Sequence, residues 1–383
     1  MYDFFPFSGV GFFIISFSFI LFLHIFKNIL SKFISYKMVV FIAVVVYISF
    51  AIPDSYLIFL LLIYTYIVYY IFVKNEYKET LFAMIVIAFP MMLHKIDLEN
   101  PMFKIIGISY ITFRTIQAIV DSHNYGKLSF FEFTSFLLFP TTLLAGPIDR
   151  SYRFQEDLQK GYENLTLANI LKGWEILVVG VLFKFVFAKL VTMYWLGKID
   201  ENSILFFDMA NSAYAYTTYL FFDFAGYSAM AVGLSIMMGI FVPMNFNHPY
   251  LAPNPQDFWR RFHITLGSWL TDYFFKPLYK YLHNFDFLKK RKLLIQNIAI
   301  TCTFLLMGVW NGLNWYFIFS GFLFGIYSSI LNSYVLYVKK GGYDYFSFFP
   351  DIISINLKRF LMINAAVFAL YFLVEGFLYE IRF

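Results

Sequence analysis

The sequence predicts an all-α, polytopic integral membrane protein, and three observations carry that expectation. Of 383 residues, 60% are hydrophobic and 14% charged, too few charges to coat a soluble globule, in which about a quarter of residues are charged. Charge-free runs of bilayer-spanning length recur: Phe4 to Phe26 has 23 residues and Ser55 to Val73 has 19. As helices, both are long enough to cross a hydrocarbon core of about 30 Å. The run Leu293 to Val338 holds 46 residues without Asp, Glu, Lys or Arg, enough to cross, turn and cross back.

The spans expected in order are roughly 4–26, 38–52, 56–73, 80–93, 103–120, 133–148, 165–195, 203–222, 226–242, 293–310, 315–338 and 360–379. The first has no basic residues before it and no small-residue cleavage site ahead of Lys27, so it reads as a span rather than a signal peptide. The segment 133–148, ending in "AGPIDR", is too short to cross alone. Irregular backbone at membrane depth survives only where protein or a water-filled cavity surrounds it, so re-entrant pieces are expected rather than twelve full crossings.

Basic residues in short loops mark the cytoplasmic side. Lys27, Lys32 and Lys37 flank the first link, the second carries only Asp54, and the third carries Lys74 and Lys78. That alternation places the N-terminus outside. Lys289 to Lys292 and Lys339 with Lys340 bracket the 46-residue run, so both its ends are read as cytoplasmic and its turn, near Asn311 to Asn314, as outer. Lys358 and Arg359 then carry the C-terminal "GFLYEIRF" to the outer face.

The stretch 245–283 is of another kind. Four prolines, Pro243, Pro249, Pro253 and Pro255, interrupt its approach. Phe258, Phe262, Thr265, Leu266, Trp269 and Leu270 then follow helical three-and-four spacing, with Asp257 as a candidate cap. Two readings stand: an interfacial helix, or a helix packed across the interior that carries His263 inward.

No nucleotide-binding loop, paired-carboxylate or Ser-His-Asp arrangement is present, and basic residues are spread between spans rather than gathered into a nucleic-acid footprint. The single cysteine, Cys302, offers neither an internal disulfide nor a metal cluster. Polar residues at membrane depth are the candidate functional groups, because they are costly there. They form three patches: Asp223, Tyr227 and Ser228 in "FDFAGYS"; Arg260, Arg261, His263 and Asp272 in "FWRRFHITLGSWLTD"; and Trp310 and Asn311 in "GVWNG". Histidine suits proton transfer from a hydroxyl near neutral pH. Taken alone, His263 reads first as a hydrogen-bonded structural residue.

The blocks "GISYITFR", "FPTTLLAGPIDR", "LFFDFAGYSAMAVG", "NFNHPY", "FWRRFHITLGSWLTDY" and "MGVWNGLNWY" occur in this order over roughly residues 100–320. In that order they resemble the membrane-bound O-acyltransferase (MBOAT) superfamily. The "GISYxTFR" and "GPIDR" forms look like its branch that moves D-alanine onto teichoic acids. The resemblance implies one integral membrane domain over 1–383, built as a ring of tilted helices with re-entrant and interfacial pieces around a central tunnel. It implies no bound cofactor. The acyl donor would be a phosphopantetheine thioester on a cytoplasmic acyl carrier protein. The acceptor would be an extracytoplasmic hydroxyl of a cell-envelope polymer such as lipoteichoic acid, reached within membrane lipid.

Two family histidines are associated with the site. One matches His263; the other matches position 311, where this chain has Asn311. Asn has no nitrogen that titrates near neutral pH, though it can donate a hydrogen bond to a developing oxyanion. Position 311 therefore leaves several readings open: an introduced substitution, a member whose base is His263 or an acceptor-borne group, a non-catalytic relative, or transfer driven by proximity alone. Trp310, Arg260, Asp223 and Tyr227 are the expected tunnel lining. Asp149 and Arg150 lie either at the carrier-facing mouth or in an ion pair sealing a turn. The C-terminal Phe377, Tyr379 and Phe383 resemble, with one residue too many, the motif of a small membrane partner whose tyrosine carries the acyl group. Tyr379 is thus a candidate acyl acceptor, or one ring of an aromatic belt. A secondary transporter is the alternative from another class, but no inverted repeat of interrupted segments is seen.

Overall fold

The computed structural model describes residues 6–7, 9–74, 80–96, 105–199 and 206–382, except for the side chains of residues 74, 80, 81, 83, 84, 96 and 374–382. The α-helices in order are α1 (Val10–Phe33), α2 (Tyr36–Ala51), α3 (Ser55–Lys74), α4 (Thr80–Ile96), α5 (Ile108–Tyr125), α6 (Phe130–Leu138), α7 (Ser151–Lys160), α8 (Leu167–Val181) and α9 (Ala188–Tyr194). They continue with α10 (Phe206–Met237), α11 (Pro255–Trp259), α12 (Ile264–Leu270), α13 (Lys276–Leu282), α14 (Asp286–Lys289), α15 (Lys292–Asn311), α16 (Trp315–Lys339) and α17 (Asp351–Arg382). No β-strand occurs among the described residues. Seven helical segments among them are long and apolar enough to cross a membrane. Their outward faces carry bulky apolar side chains, among them Ile14, Leu21, Leu60, Leu171 and Trp174, each at least half exposed, as a lipid-facing surface requires.

Two expected spans, 203–222 and 226–242, are a single helix, α10. The residues between the two, Asp223 to Ala225, lie mid-helix. Gly226 is a packing site rather than a turn: a Cβ on it would lie 2.6 Å from the Lys184 backbone nitrogen. The expected segment 165–195 is likewise continuous, with α8 running through π-helical Leu182–Phe187 into α9.

Internal contacts divide the chain into two compact units, Met1–Lys184 with Phe224–Met244, and Phe185–Asp223 with Asn245–Phe383. In the first, α8 meets the second half of α10 through glycines on both helices. A Cβ at Gly173 would sit 2.6 Å from the Gly233 oxygen, and one at Gly180 would sit 2.7 Å from the Met230 nitrogen. Small residues let membrane helices approach to backbone contact, where packing replaces the missing hydrophobic drive. The C-terminal carbonyls of α10 have no helical partners. His24 Nε2 lies 3.0 Å from Met237 O, Tyr36 donates to Met238 O, and Asn164 donates to Gly239 O at 2.9 Å.

The segment expected to be re-entrant is built as α6, a 3-10 turn at Pro140–Thr142, and irregular chain up to Arg150. Ser129 and Glu132 form a reciprocal capping box at the start of α6. At its far end the fully buried Arg114 guanidinium donates to Phe136 O, Leu137 O, Thr142 O and Thr142 Oγ1, at 2.6 to 3.0 Å. One planar cation thus supplies the donors that irregular backbone lacks in an apolar interior.

In the second unit, α15 and α16 form the expected hairpin, turning at 312–314. Close approach is again glycine-mediated, with Gly308 against Phe317 and Gly321 against Phe304. Farther down the pair, Asn297 Nδ2 donates to Ser333 Oγ at 2.9 Å, Asn332 Nδ2 to Asn297 Oδ1 at 2.8 Å, and Thr301 and Ser329 hydroxyls lie 3.1 Å apart. The aromatic core joins Phe258, Phe262 and Phe324 with Met362, Ala366 and Leu370 of α17.

Candidate active site

The amphipathic face expected between Phe258 and Leu270 is buried throughout, each of its six members no more than 4% exposed. The helix carrying it is not continuous. It breaks after α11 and restarts at α12, with His263 as the N-cap in the left-handed region at φ 47°. Nor does Asp257 cap α11. Asn254 does, its side chain accepting from the Asp257 backbone N–H at 2.9 Å, while Asp257 instead pairs with Arg261 at 2.8 Å. The break has a chemical result: it turns His263 into the interior, 6% exposed, off any regular helix face.

His263 Nδ1 lies 3.2 Å from Asn245 Oδ1. The same oxygen accepts from the Thr265 backbone N–H at 3.1 Å and from Thr265 Oγ1 at 2.9 Å. The main chains also pair here, with Ile264 N–H donating to Asn245 O and Asn247 N–H to Arg261 O. Burial pushes the His263 pKa well below the ordinary histidine range, because the imidazolium would lose its hydration. Neutral imidazole, the form that accepts a proton, is therefore the resting state. Sequence reasoning quoted "NFNHPY" but did not single out Asn245; two residues of the pattern, Asn245 and Asn247, tie it to the histidine loop.

Immediately after His263, Ile264 opens a cavity of about 510 Å³. Arg260, Asp272 and Gln256 line its polar side, and Trp259, Phe304 and Met307 its apolar side. Arg260 is exposed into this space and Asp272 pairs with Lys276 at 2.7 Å. Asn311 ends α15 half-buried, its Nδ2 donating to the carbonyl of Met307 at 2.9 Å. Trp310, beside it, is also half-buried. The second amide of "MGVWNGLNWY" acts on the backbone of the next helix: Asn314 caps α16, accepting from Tyr316 N–H at 3.2 Å. Within this unit the structure thus gathers Arg260, Asp272 and the Met307 residue that holds Asn311 around one cavity, and places His263 next to one of its lining residues.

Other expected site residues lie elsewhere. Asp223 is half-buried near the middle of α10. Tyr227, in the other unit, is buried against Phe7, ring centroids 4.6 Å apart. Asp149, also in that unit, is 3% exposed and is gripped by Arg153 through two contacts, Nε to Oδ1 at 2.6 Å and Nη2 to Oδ2. Arg150 donates its backbone N–H to Asp149 at 2.7 Å, and its guanidinium lies 3.4 Å from Gln117 Oε1. The ion pair at this turn is therefore Asp149–Arg153, not Asp149–Arg150. Arg153 also reaches Asp157 at 3.0 Å, and Asp157 accepts from Phe241 N–H. The side chain of Tyr379 lies outside the described residues, as do those of Phe377 and Phe383.

A multi-pass helical fold in which a broken helix sets a buried histidine beside a partly polar cavity is a setting for chemistry within a membrane protein. The model of the membrane-bound O-acyltransferase family matches residues 68–374, and the chain belongs to that family. It is 34% identical to the teichoic acid D-alanyltransferase of Bacillus subtilis over 72% of this chain and 68% of that protein. It is 30% identical to the teichoic acid D-alanyltransferase of Lacticaseibacillus rhamnosus over 73% and 70% respectively. A peptidoglycan O-acetyltransferase of Helicobacter pylori is 35% identical over 55% of this chain and 39% of its own length. The protein is a multi-pass bacterial membrane O-acyltransferase.

Proposed function

We propose that this enzyme moves D-alanine, or a similarly small acyl group, from a phosphopantetheine thioester on a cytoplasmic acyl carrier protein to an extracytoplasmic hydroxyl of the cell envelope, such as that of lipoteichoic acid. The whole chain acts as one catalytic domain in this reading. The observation that carries it is the cavity bordered by Arg260 and Asp272, with His263 beside it and Asn311 anchored to one of its lining residues. The likeness to D-alanyltransferases over about two thirds of their length supports the choice of acyl group.

In the transfer, the acceptor oxygen attacks the thioester carbonyl carbon and gives its proton to His263 Nε2. The tetrahedral oxyanion collapses, the C–S bond breaks, and the thiolate leaving group takes the proton back. One ester forms and one thioester is lost. A buried, neutral imidazole is in the correct state to begin this step. Asn311 takes the part of a donor to the oxyanion rather than of a base, which its chemistry forbids. Trp310, Arg260 and Asp223 belong to the substrate path in this reading. Asp149 and Arg150 shape the carrier-facing side through the Arg153 clamp. Tyr379 is the candidate relay hydroxyl if the acyl group pauses on protein, in place of a small membrane partner.

The test is transfer of radiolabelled D-alanine from a D-alanyl-loaded acyl carrier protein to the lipid-linked polymer fraction, using inverted membrane vesicles that contain this protein. Label should appear in the polymer and fall with His263→Gln. Label confined to carrier and free D-alanine in vesicles with intact protein would refute the assignment.

A further inference from the structure

We infer that Asn245 is a positioning residue for His263: its side-chain oxygen holds the imidazole in the Nδ1–H tautomer, which puts the basic lone pair on Nε2. The inference rests on His263 serving as the base in the reaction proposed above. The orientation of the Asn245 amide decides the matter, and a neighbour fixes it. The Thr265 backbone N–H, 3.1 Å away, can only donate, so the atom facing it must be the amide oxygen rather than the NH₂ group. Thr265 Oγ1 reaches the same atom at 2.9 Å. His263 Nδ1, 3.2 Å from that oxygen, faces an acceptor and must carry the hydrogen. The partner of one ring nitrogen dictates the state of the other.

The arrangement is built in and not a chance approach. Asn245 is 1% exposed, and its main-chain carbonyl accepts from Ile264 N–H, so main chain and side chain of one residue both bind the loop that carries the histidine. His263 itself sits at φ 47°, a conformation that non-glycine residues adopt only when their surroundings impose it. The Asn245 Nδ2 is buried with no hydrogen-bond partner among the described residues. Turning the amide over would point that donor at the Thr265 backbone N–H, so the unsatisfied nitrogen is what the orientation leaves behind.

The experiment uses full-length protein in detergent, labelled with ¹⁵N-histidine. The chain has six histidines, and the spectrum of His263→Gln identifies the His263 signals by their loss. Couplings between ring ¹⁵N and carbon-bound protons distinguish the two tautomers. The wild type should show Nδ1 as the protonated nitrogen. Asn245→Asp keeps an acceptor in place and should keep both that pattern and measurable transfer. Asn245→Leu should bring in the Nε2–H form and lower kcat by about ten-fold or more with KM little changed. A wild-type His263 protonated on Nε2 would overturn the inference outright, without need of any variant. So would folded Asn245→Leu protein with an unaltered pattern. If His263→Gln leaves transfer unchanged while the tautomer still responds at 245, the base assignment falls and the tautomer assignment stands.

Discussion

Arg114 and Thr142 are joined twice, through the Thr142 carbonyl at 2.7 Å and its hydroxyl at 2.6 Å, by a single guanidinium nitrogen. With Phe136 and Leu137 on the other nitrogen, this makes one buried side chain the closure of both the last turn of α6 and the irregular chain beyond it. Arg114→Leu should leave those acceptors unpaired and destabilise the protein by roughly 3 kcal/mol or more. Arg114→Lys should recover little, since an ammonium cannot span the same four oxygens. Thermal unfolding in detergent measures both; a Lys variant as stable as the parent would contradict the closure role.

The identity of the base is open to a comparison of positions 263 and 311. His263→Gln should lower kcat by about 10²–10⁴-fold with KM largely kept, the range for loss of a general base. Asn311→Ala should cost about 10²–10³-fold, as for removal of an oxyanion donor. Asn311→His should change transfer by less than about ten-fold. A gain of several hundred-fold in that variant would move the base to position 311.

The α8–α10 seam depends on the absence of side chains. Gly233→Leu would drive a Cβ to within 2.6 Å of the Gly173 oxygen and force the helices apart. A loss of about 1–3 kcal/mol or more is expected, as for overpacking, and is readable as a lower thermal midpoint.

The polar ladder of the α15–α16 hairpin offers a quantitative test. Asn297→Ala and Asn332→Ala, singly and together, should show a coupling of about 0.5–1.5 kcal/mol, because a 2.8 Å bond joins the two half-buried amides. Strictly additive losses would mean the amides act separately.

Much of this protein is dictated by its sequence alone. The scarcity of charge and the length of the apolar runs require a helical membrane fold, since in hydrocarbon each backbone group must be satisfied within its own segment. The hairpin at 311–314 and the inward face from Phe258 to Leu270 follow from charge placement and helical spacing in the same way. The tertiary structure decided what periodicity cannot encode. Gly226, the start of a separate expected span, lies instead inside one helix at a helix crossing, because the partner that needs its missing Cβ lies more than forty residues away at Lys184. The ion pair of Asp149 goes to Arg153 rather than to its neighbour, since α7 brings the later arginine one turn round to the carboxylate. Asn245 became part of the site only when the chain folded back on the histidine loop. Hydrogen bonds between residues 18 and 20 positions apart depend on that return path and leave no local pattern to read.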